Sequence, residues 1–230
     1  MSGAPPPPRP PAVGPALLAW AAGHGRDLPW RRTRDPWAVL VSELMLQQTQ
    51  VPRVVPRYSA FLSRFPTPAA CAAAAVGDVV REWAGLGYYR RAVSLHRAAT
   101  ACVEHHGGTL PDSLDGLLAL PGIGPYTARA VLAFAHGRDV GVLDTNAARV
   151  LARLHGRRLG RAEAQRAADA LVPPGQGWAW NQAVLDLGAT VCVRPVPRCD
   201  GCPVRAACAW ARAGHPGPDP AVASAGSSTA

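Results

Sequence analysis

The 230-residue chain holds only four glutamates: Glu43, Glu82, Glu104 and Glu163. One of them stands in an apolar segment. Residues 37–51 read WAVLVSELMLQQTQV, and on a helix Glu43, Gln47 and Gln50 fall at i, i+4 and i+7 and share one face. Trp37, Val41, Leu44 and Met45 lie broadly opposite. A lone carboxyl there has its charged form disfavoured, which makes it a candidate general acid; the alternative is a Glu paired with one of the many arginines. A second carboxyl, Asp144, opens the run LDTNAARV at 143–150. It reads as the N-cap of the following helix, and the helix N-terminus would keep it ionised. Two carboxyl groups pushed apart by their environments can divide acid and base work between them.

Four cysteines, Cys192, Cys199, Cys202 and Cys208, are spaced C-x6-C-x2-C-x5-C. Zinc and a [4Fe-4S] cluster both accept four thiolates, and the spacing does not choose between them. Pro195, Pro197 and Pro203 stiffen this loop, and Arg194, Arg198, Arg205 and Arg212 surround it. Cys71 and Cys102 lie in Ala-rich helices and read as core thiols. A further motif, LPGIGPYTA at 120–128, places Gly122 and Gly124 in a turn before a helix with Pro125 at its first position. The exposed N–H groups of such a turn form an anion site suited to a DNA phosphate; a plain helix connector is the alternative.

The elements that must position these residues are helical. Asp35-Pro36 and Thr67-Pro68 pair an N-cap with Pro at the first helical position. Helices are expected at roughly 12–23, 36–48, 53–65, 77–84, 89–106, 125–136, 145–156, 161–171, 178–191 and 203–211, with a short one at about 114–119. Gly and Pro mark the breaks. Almost no alternating strand pattern occurs, so the fold class is all-α. A Pro-rich arm at 1–11 and a tail at 213–230 are expected to be disordered.

Composition sets limits. The 24 basic residues are all Arg, so no lysine Schiff base or lysine general base can operate. The net charge of +9 suits nucleic acid or another polyanion. No run approaches the ~18 apolar residues of a membrane span, and no secretory signal is visible.

These segments occur together, in this order and spacing, in the endonuclease III (helix-hairpin-helix) superfamily of DNA glycosylases, which the chain resembles over about residues 15–212. DLPWR at 27–31, SELMLQQTQV, GLGYYRRAVSLH at 85–96 and NQAVLDLGATVC at 181–192 look like its adenine DNA glycosylase (MutY) branch. The resemblance implies two lobes with DNA in the cleft between them. One is a six-helix barrel (30–137); the other (12–29 with 138–212) carries a [4Fe-4S] cluster on Cys192, Cys199, Cys202 and Cys208. It implies that Glu43 protonates adenine and then helps water attack, and that Asp144 stabilises the sugar cation. Tyr126 and Asn146 would line the catalytic pocket. Arg26, Leu28, Trp30, Arg31, Leu46 and Gln182 would surround the flipped adenine. Gln48 and Tyr88 would wedge into the duplex, and Gly122 and Gly124 would hold a phosphate.

The implied activity is base excision repair: hydrolysis of the N-glycosidic bond of adenine mispaired with 8-oxoguanine or guanine in double-stranded DNA. Bifunctional relatives use a hairpin lysine that matches Tyr126 here, so a monofunctional enzyme is expected. A monomer in the bacterial cytoplasm, associated with the nucleoid, follows from the same resemblance. Only 22 residues follow Cys208, so the C-terminal 8-oxoguanine-recognition domain usual in that branch is expected to be lacking. Competing readings are a G:T or uracil mismatch glycosylase, a non-catalytic iron–sulfur DNA-binding protein, and a zinc-stabilised helical DNA module.

Overall fold

The computed structural model describes residues 13–215 and 219–221. The Pro-rich arm at 1–11 lies outside the described residues, as does most of the expected tail. The chain divides into two compact units. A middle unit spans Asp27–Arg138, and a flanking unit joins the described residues before Asp27 to those from Asp139 onward. Among the described residues every regular element is helical.

The middle unit opens with a 3₁₀ turn, Pro29–Arg31, followed by α2 (Pro36–Leu46), α3 (Val51–Arg64), α4 (Pro68–Ala72), α5 (Val76–Glu82), α6 (Arg90–His105), α7 (Leu114–Ala119) and α8 (Pro125–Phe134). The cap devices work as their chemistry dictates. The Asp35 carboxylate accepts from the N–H groups of Trp37 and Ala38, both at 3.2 Å. The Thr67 hydroxyl accepts from Ala70 N–H at 3.1 Å and starts α4, a five-residue helix that periodicity alone does not reveal. The core gathers Trp37, Leu40, Leu44, Phe61, Trp83, Leu95 and Val131, all fully buried or nearly so.

The flanking unit holds α1 (Val13–His24), α9 (Thr145–Leu154), α10 (Arg161–Leu171), α11 (Gly177–Thr190) and α12 (Ala209–Arg212). Leu17, Val150, Leu151, Leu154, Leu171, Trp180 and Leu187 share one core. The expected helix at 203–211 is replaced by two 3₁₀ turns, Cys199–Gly201 and Arg205–Ala207, and the short α12. The physical reason is a succession of i→i+3 bonds that curls the chain around its cysteines: Cys202 to Cys199, Arg205 to Cys202 and Cys208 to Arg205. The segment read as a tail contains Asp219, which ion-pairs with the buried Arg153 at 2.5 Å.

Candidate active site and cysteine centre

Glu43 lies on α2 with 5 % of its surface exposed, on a helix whose residues Trp37–Met45 are all buried. The helix ends two residues earlier than expected. Gln47 is its C-cap and Gln50 is the N-cap of α3, so the three-residue polar face shrinks to Glu43 and Gln47. The Gln47 amide donates to the Thr127 hydroxyl at 3.3 Å, tying the end of α2 to the first turn of α8. Tyr126, half-buried, is the neighbour of Thr127 there.

The hairpin between α7 and α8 packs on α6. Gly122 has φ +79°, and a Cβ on it would lie 2.5 Å from the Ser94 side chain, so two independent constraints demand glycine. Gly124 is the N-cap of α8, with φ −95° and open space beside it. Pro125 takes the first helical position. The first-turn N–H groups of a helix such as α8 have no intrahelical acceptor, the kind of donor set that suits an anion.

Two exposed turns carry Gln48 and Tyr88. Both residues adopt the left-handed region, at φ 53° and 48°. Among the described residues the only other non-glycine there is His215. Such a conformation costs about 1–3 kcal/mol per residue and persists only where the surroundings over-determine it. Tyr88 is 60 % exposed although it is a large hydrophobic residue. Leu28 and Trp30 are buried at the 3₁₀ turn, where Trp30 meets Tyr58 edge-on at 5.5 Å; Arg31 and Leu46 are half-buried.

In the flanking unit the segment leading to Asp144 is pinned at several points. Asn181 accepts from Val142 N–H and donates to the Val140 carbonyl, both at 2.8 Å. Gly141 N–H donates to Asp169 at 2.8 Å, and a Cβ on Gly141 would collide with the α10 backbone at 2.5 Å. Asp144 caps α9 as expected, accepting from Ala147 N–H at 2.6 Å and from the Asn146 amide at 3.1 Å. The expectation that the cap alone keeps its carboxyl acidic needs correction. Burial is the largest influence and pushes its pKa above the ordinary value, against the cap bonds and the Arg149 charge, which pull it down.

Asn146 in turn accepts from Arg149 at 2.8 Å, and the Arg149 Nε donates to the Cys192 carbonyl at 2.7 Å. A continuous polar chain therefore runs from Asp144 to the first of the four clustered cysteines. Cys192, Cys199, Cys202 and Cys208 line one open pocket, shared with Val150, Leu187 and Arg153. Arg153 is buried against it, donating to Cys192 Sγ at 3.3 Å and to the Val193 carbonyl at 3.0 Å. No three His, Cys, Asp or Glu side chains among the described residues converge tightly enough to hold a single ion. A pocket lined by four cysteines and backed by Arg153 fits a group bound through four thiolates. Cys71 and Cys102 are buried, and burial pushes their thiols up to about 12 and about 11, as inert core thiols require.

Gln182 and Asp186 sit one turn apart on α11, both buried. Arg26 donates to Asp186 through its backbone N–H at 3.1 Å and its Nε at 2.5 Å. The middle unit holds Glu43, Tyr126, Leu28, Trp30, Arg31, Leu46, Gln48, Tyr88, Gly122 and Gly124. The flanking unit holds Asp144, Asn146, Arg26, Gln182 and the four cysteines. Sequence reasoning missed Arg91, Arg149, Arg153 and Asp186. The signal existed for three of them: Arg149 and Arg153 are spaced i, i+4 in an apolar helix, and Asp186 is a lone carboxylate in another.

Comparison with known proteins places this site in a family. Residues 41–174 match the HhH-GPD superfamily of base excision DNA repair proteins. The adenine DNA glycosylase of Mycobacterium tuberculosis is 45% identical over 225 residues, which span 92% of this chain and 74% of that protein. The human adenine DNA glycosylase is 41% identical over 84% of this chain and 38% of its own length. Among solved structures, a thermostable thymine-DNA glycosylase is similar with a TM-score of 0.82 at 27% identity, covering 86% of this chain and 94% of that one. An endonuclease III–DNA covalent intermediate shares the fold at a TM-score of 0.73 and 21% identity, over 86% and 92% of the two chains. The chain belongs to the HhH-GPD superfamily of base excision DNA repair proteins, in its adenine DNA glycosylase branch.

Proposed function

We propose that the protein is a monofunctional DNA glycosylase that hydrolyses the N-glycosidic bond of adenine mispaired with 8-oxoguanine or guanine in duplex DNA. The observation that carries this reading is Glu43: a carboxyl buried mid-helix, one turn from a glutamine bonded to the start of α8. Adenine is a poor leaving group until protonated, so an acid held out of bulk water is what the chemistry asks for. Glu43 delivers a proton to the base, the C–N bond breaks, and the adenine departs with the bonding pair. The sugar is left with oxocarbenium character, for which an anionic oxygen nearby is stabilising, as in glycoside hydrolysis. Asp144 supplies it, oriented by Ala147 N–H and by Asn146. Glu43, now a carboxylate, takes a proton from the attacking water and is restored.

The target atom is inside the stack, so the nucleotide is extruded first, at a cost of a few kcal/mol. Gln48 and Tyr88 replace the lost stacking from their exposed turns. Leu28, Trp30, Arg31 and Leu46 of the middle unit and Arg26 and Gln182 of the flanking unit are the residues assigned to the base. Gly122 and Gly124 receive a phosphate at the α8 N-terminus. With no lysine in the chain, no lysine Schiff base forms on the sugar. Cys192, Cys199, Cys202 and Cys208 hold a [4Fe-4S] cluster, with Arg149 and Arg153 offsetting its charge. The cluster would cross-link the loop at 192–208 to itself, beside Arg149 and Arg153 of α9. The units Asp27–Arg138 and its flanking partner correspond to the barrel and cluster lobes. The protein acts as a monomer, in a compartment where it meets the genome; among the described residues no helix is long and apolar enough to cross a membrane.

The similarity to a thymine-DNA glycosylase favours a second reading, a G:T or uracil mismatch enzyme. One single-turnover panel separates them: adenine opposite 8-oxoguanine, adenine opposite guanine, thymine opposite guanine and uracil opposite guanine, at fixed salt. Adenine loss, with strand breaks only after alkali, is expected. Excision of thymine or uracil instead overturns the adenine assignment, and strand breaks before alkali overturn the monofunctional one.

A further inference from the structure

We propose that Arg91 is a positioning residue for base extrusion: its guanidinium locks together the two turns that present Gln48 and Tyr88. The proposal rests on the wedge reading given above. Arg91 is 8 % exposed, near the start of α6. Its Nη1 donates to the carbonyls of Leu44 at 2.7 Å, Met45 at 2.9 Å and Gln47 at 2.5 Å. Its Nη2 donates to the carbonyls of Leu86 at 3.0 Å and Gly87 at 2.9 Å, and to the Thr49 hydroxyl at 3.1 Å. One guanidinium therefore reaches both sides of Gln48 and the two residues before Tyr88. The Thr49 hydroxyl completes the joint by donating to the Leu86 carbonyl at 3.1 Å.

The chemistry of this joint is specific. The Leu44 and Met45 carbonyls belong to the last turn of α2 and have no intrahelical donor. The Leu86 and Gly87 carbonyls precede a residue at φ 48°. A strained turn has no ladder of its own, so an external donor set must hold it. Only arginine offers a planar fork that can serve acceptors on two segments at once; lysine offers three donors from one point. The Arg91 guanidinium also lies 5.4 Å from the centroid of the exposed Tyr88 ring and 5.6 Å from that of the buried Trp83. Tyr88 is thereby supported from below by a cation that does not itself need to touch DNA.

The test uses the full chain carrying its cysteine-bound cofactor and a duplex with 2-aminopurine in place of the target adenine, whose fluorescence reports unstacking. Four proteins are compared with wild type: Tyr88→Ala, Arg91→Lys, the double variant, and Thr49→Val, which loses one arm of the joint and keeps Arg91. Thermal unfolding is recorded for each. The expected result is that Arg91→Lys lowers the unstacking signal at saturating enzyme about tenfold. Thr49→Val lowers it by a smaller factor, and adding Arg91→Lys to Tyr88→Ala changes it less than twofold. An Arg91 that only supports the fold would shift the unfolding temperature and leave the signal per folded molecule unchanged, which overturns the proposal. Independent losses in the double variant overturn it as well. If Arg91→Lys does not fold, Thr49→Val alone decides, because an unchanged signal there removes the joint from base extrusion. An unchanged signal with Tyr88→Ala would strike the wedge reading itself, a separate failure that leaves Arg91 nothing to position.

Discussion

In the middle unit the candidate acid, Glu43, sits mid-helix in a buried stretch of α2, and the two left-handed turns of that unit are held by the Arg91 side chain. In the flanking unit Asp144 sits at a helix start and is embedded in side-chain bonds, from Asn146 to Arg149 and on to the Cys192 carbonyl. One unit therefore carries its carboxyl in the middle of a buried helix, the other at a helix start within a polar network. Changes to the first should alter rates more than stability. Changes to the second that break a tie should alter both together, and those that keep the tie should alter rate alone.

The largest effect is expected where the network meets its cofactor. Cys202→Ala should abolish the visible absorbance of the purified protein and lower its unfolding temperature by many degrees, since a structural metal site contributes folding energy directly. Absorption and calorimetry on one sample check this. Next, Asp144→Asn keeps a competent N-cap but removes the anion, so single-turnover excision should fall about 10²-fold while stability changes by only a few tenths of a kcal/mol. Asp144→Ala should add about 1 kcal/mol of destabilisation in denaturant titration.

Packing supplies a smaller effect. A Cβ on Gly188 would lie 2.8 Å from Asn146 Cβ, so Gly188→Ala should cost about 1–3 kcal/mol and lower excision too, by displacing the partner of Asp144. In the middle unit, Gly122→Ala should destabilise through its φ of +79° and the Ser94 clash, whereas Gly124→Ala, with open space around it, should leave the unfolding temperature unchanged.

The smallest effects come from pH. Burial pushes the Asp219 carboxyl up, but the hydrogen bond and charge of Arg153 outweigh it and hold the pKa below the ordinary carboxylate value. Its contribution to stability is present above that ordinary value and is lost as pH falls through the folded one. Asp144 has the opposite sign. Its folded pKa is raised, so ionising it penalises the fold as pH climbs from the ordinary value through the raised one. In acid-range unfolding curves, Asp219→Asn should flatten the first slope and Asp144→Asn the second.

Much of this arrangement was legible in the sequence. Asp35-Pro36 and Asp144 announced helix starts because a cap is a local event, and the four cysteines announced a shared centre through spacing alone. The end of α2 was not legible: periodicity runs on to Gln48, and only the Arg91 side chain, 47 positions from Leu44, ends the helix by taking its carbonyls. The short α4 was hidden in an alanine run with no face to read. A carboxylate paired with arginine inside an apolar helix occurs at Asp186, where Arg26 meets it from 160 positions away. With 24 arginines in the chain, no local pattern tells which one reaches inward.

The claim on which the account stands is that Glu43 supplies the proton for base departure. It is tested most directly by single-turnover excision of adenine opposite 8-oxoguanine with Glu43→Gln, alongside duplex binding by the same protein. The account predicts a rate lowered by about 10²–10⁴-fold with binding and unfolding temperature close to wild type. A Glu43→Gln protein that excises adenine at the wild-type rate would contradict it.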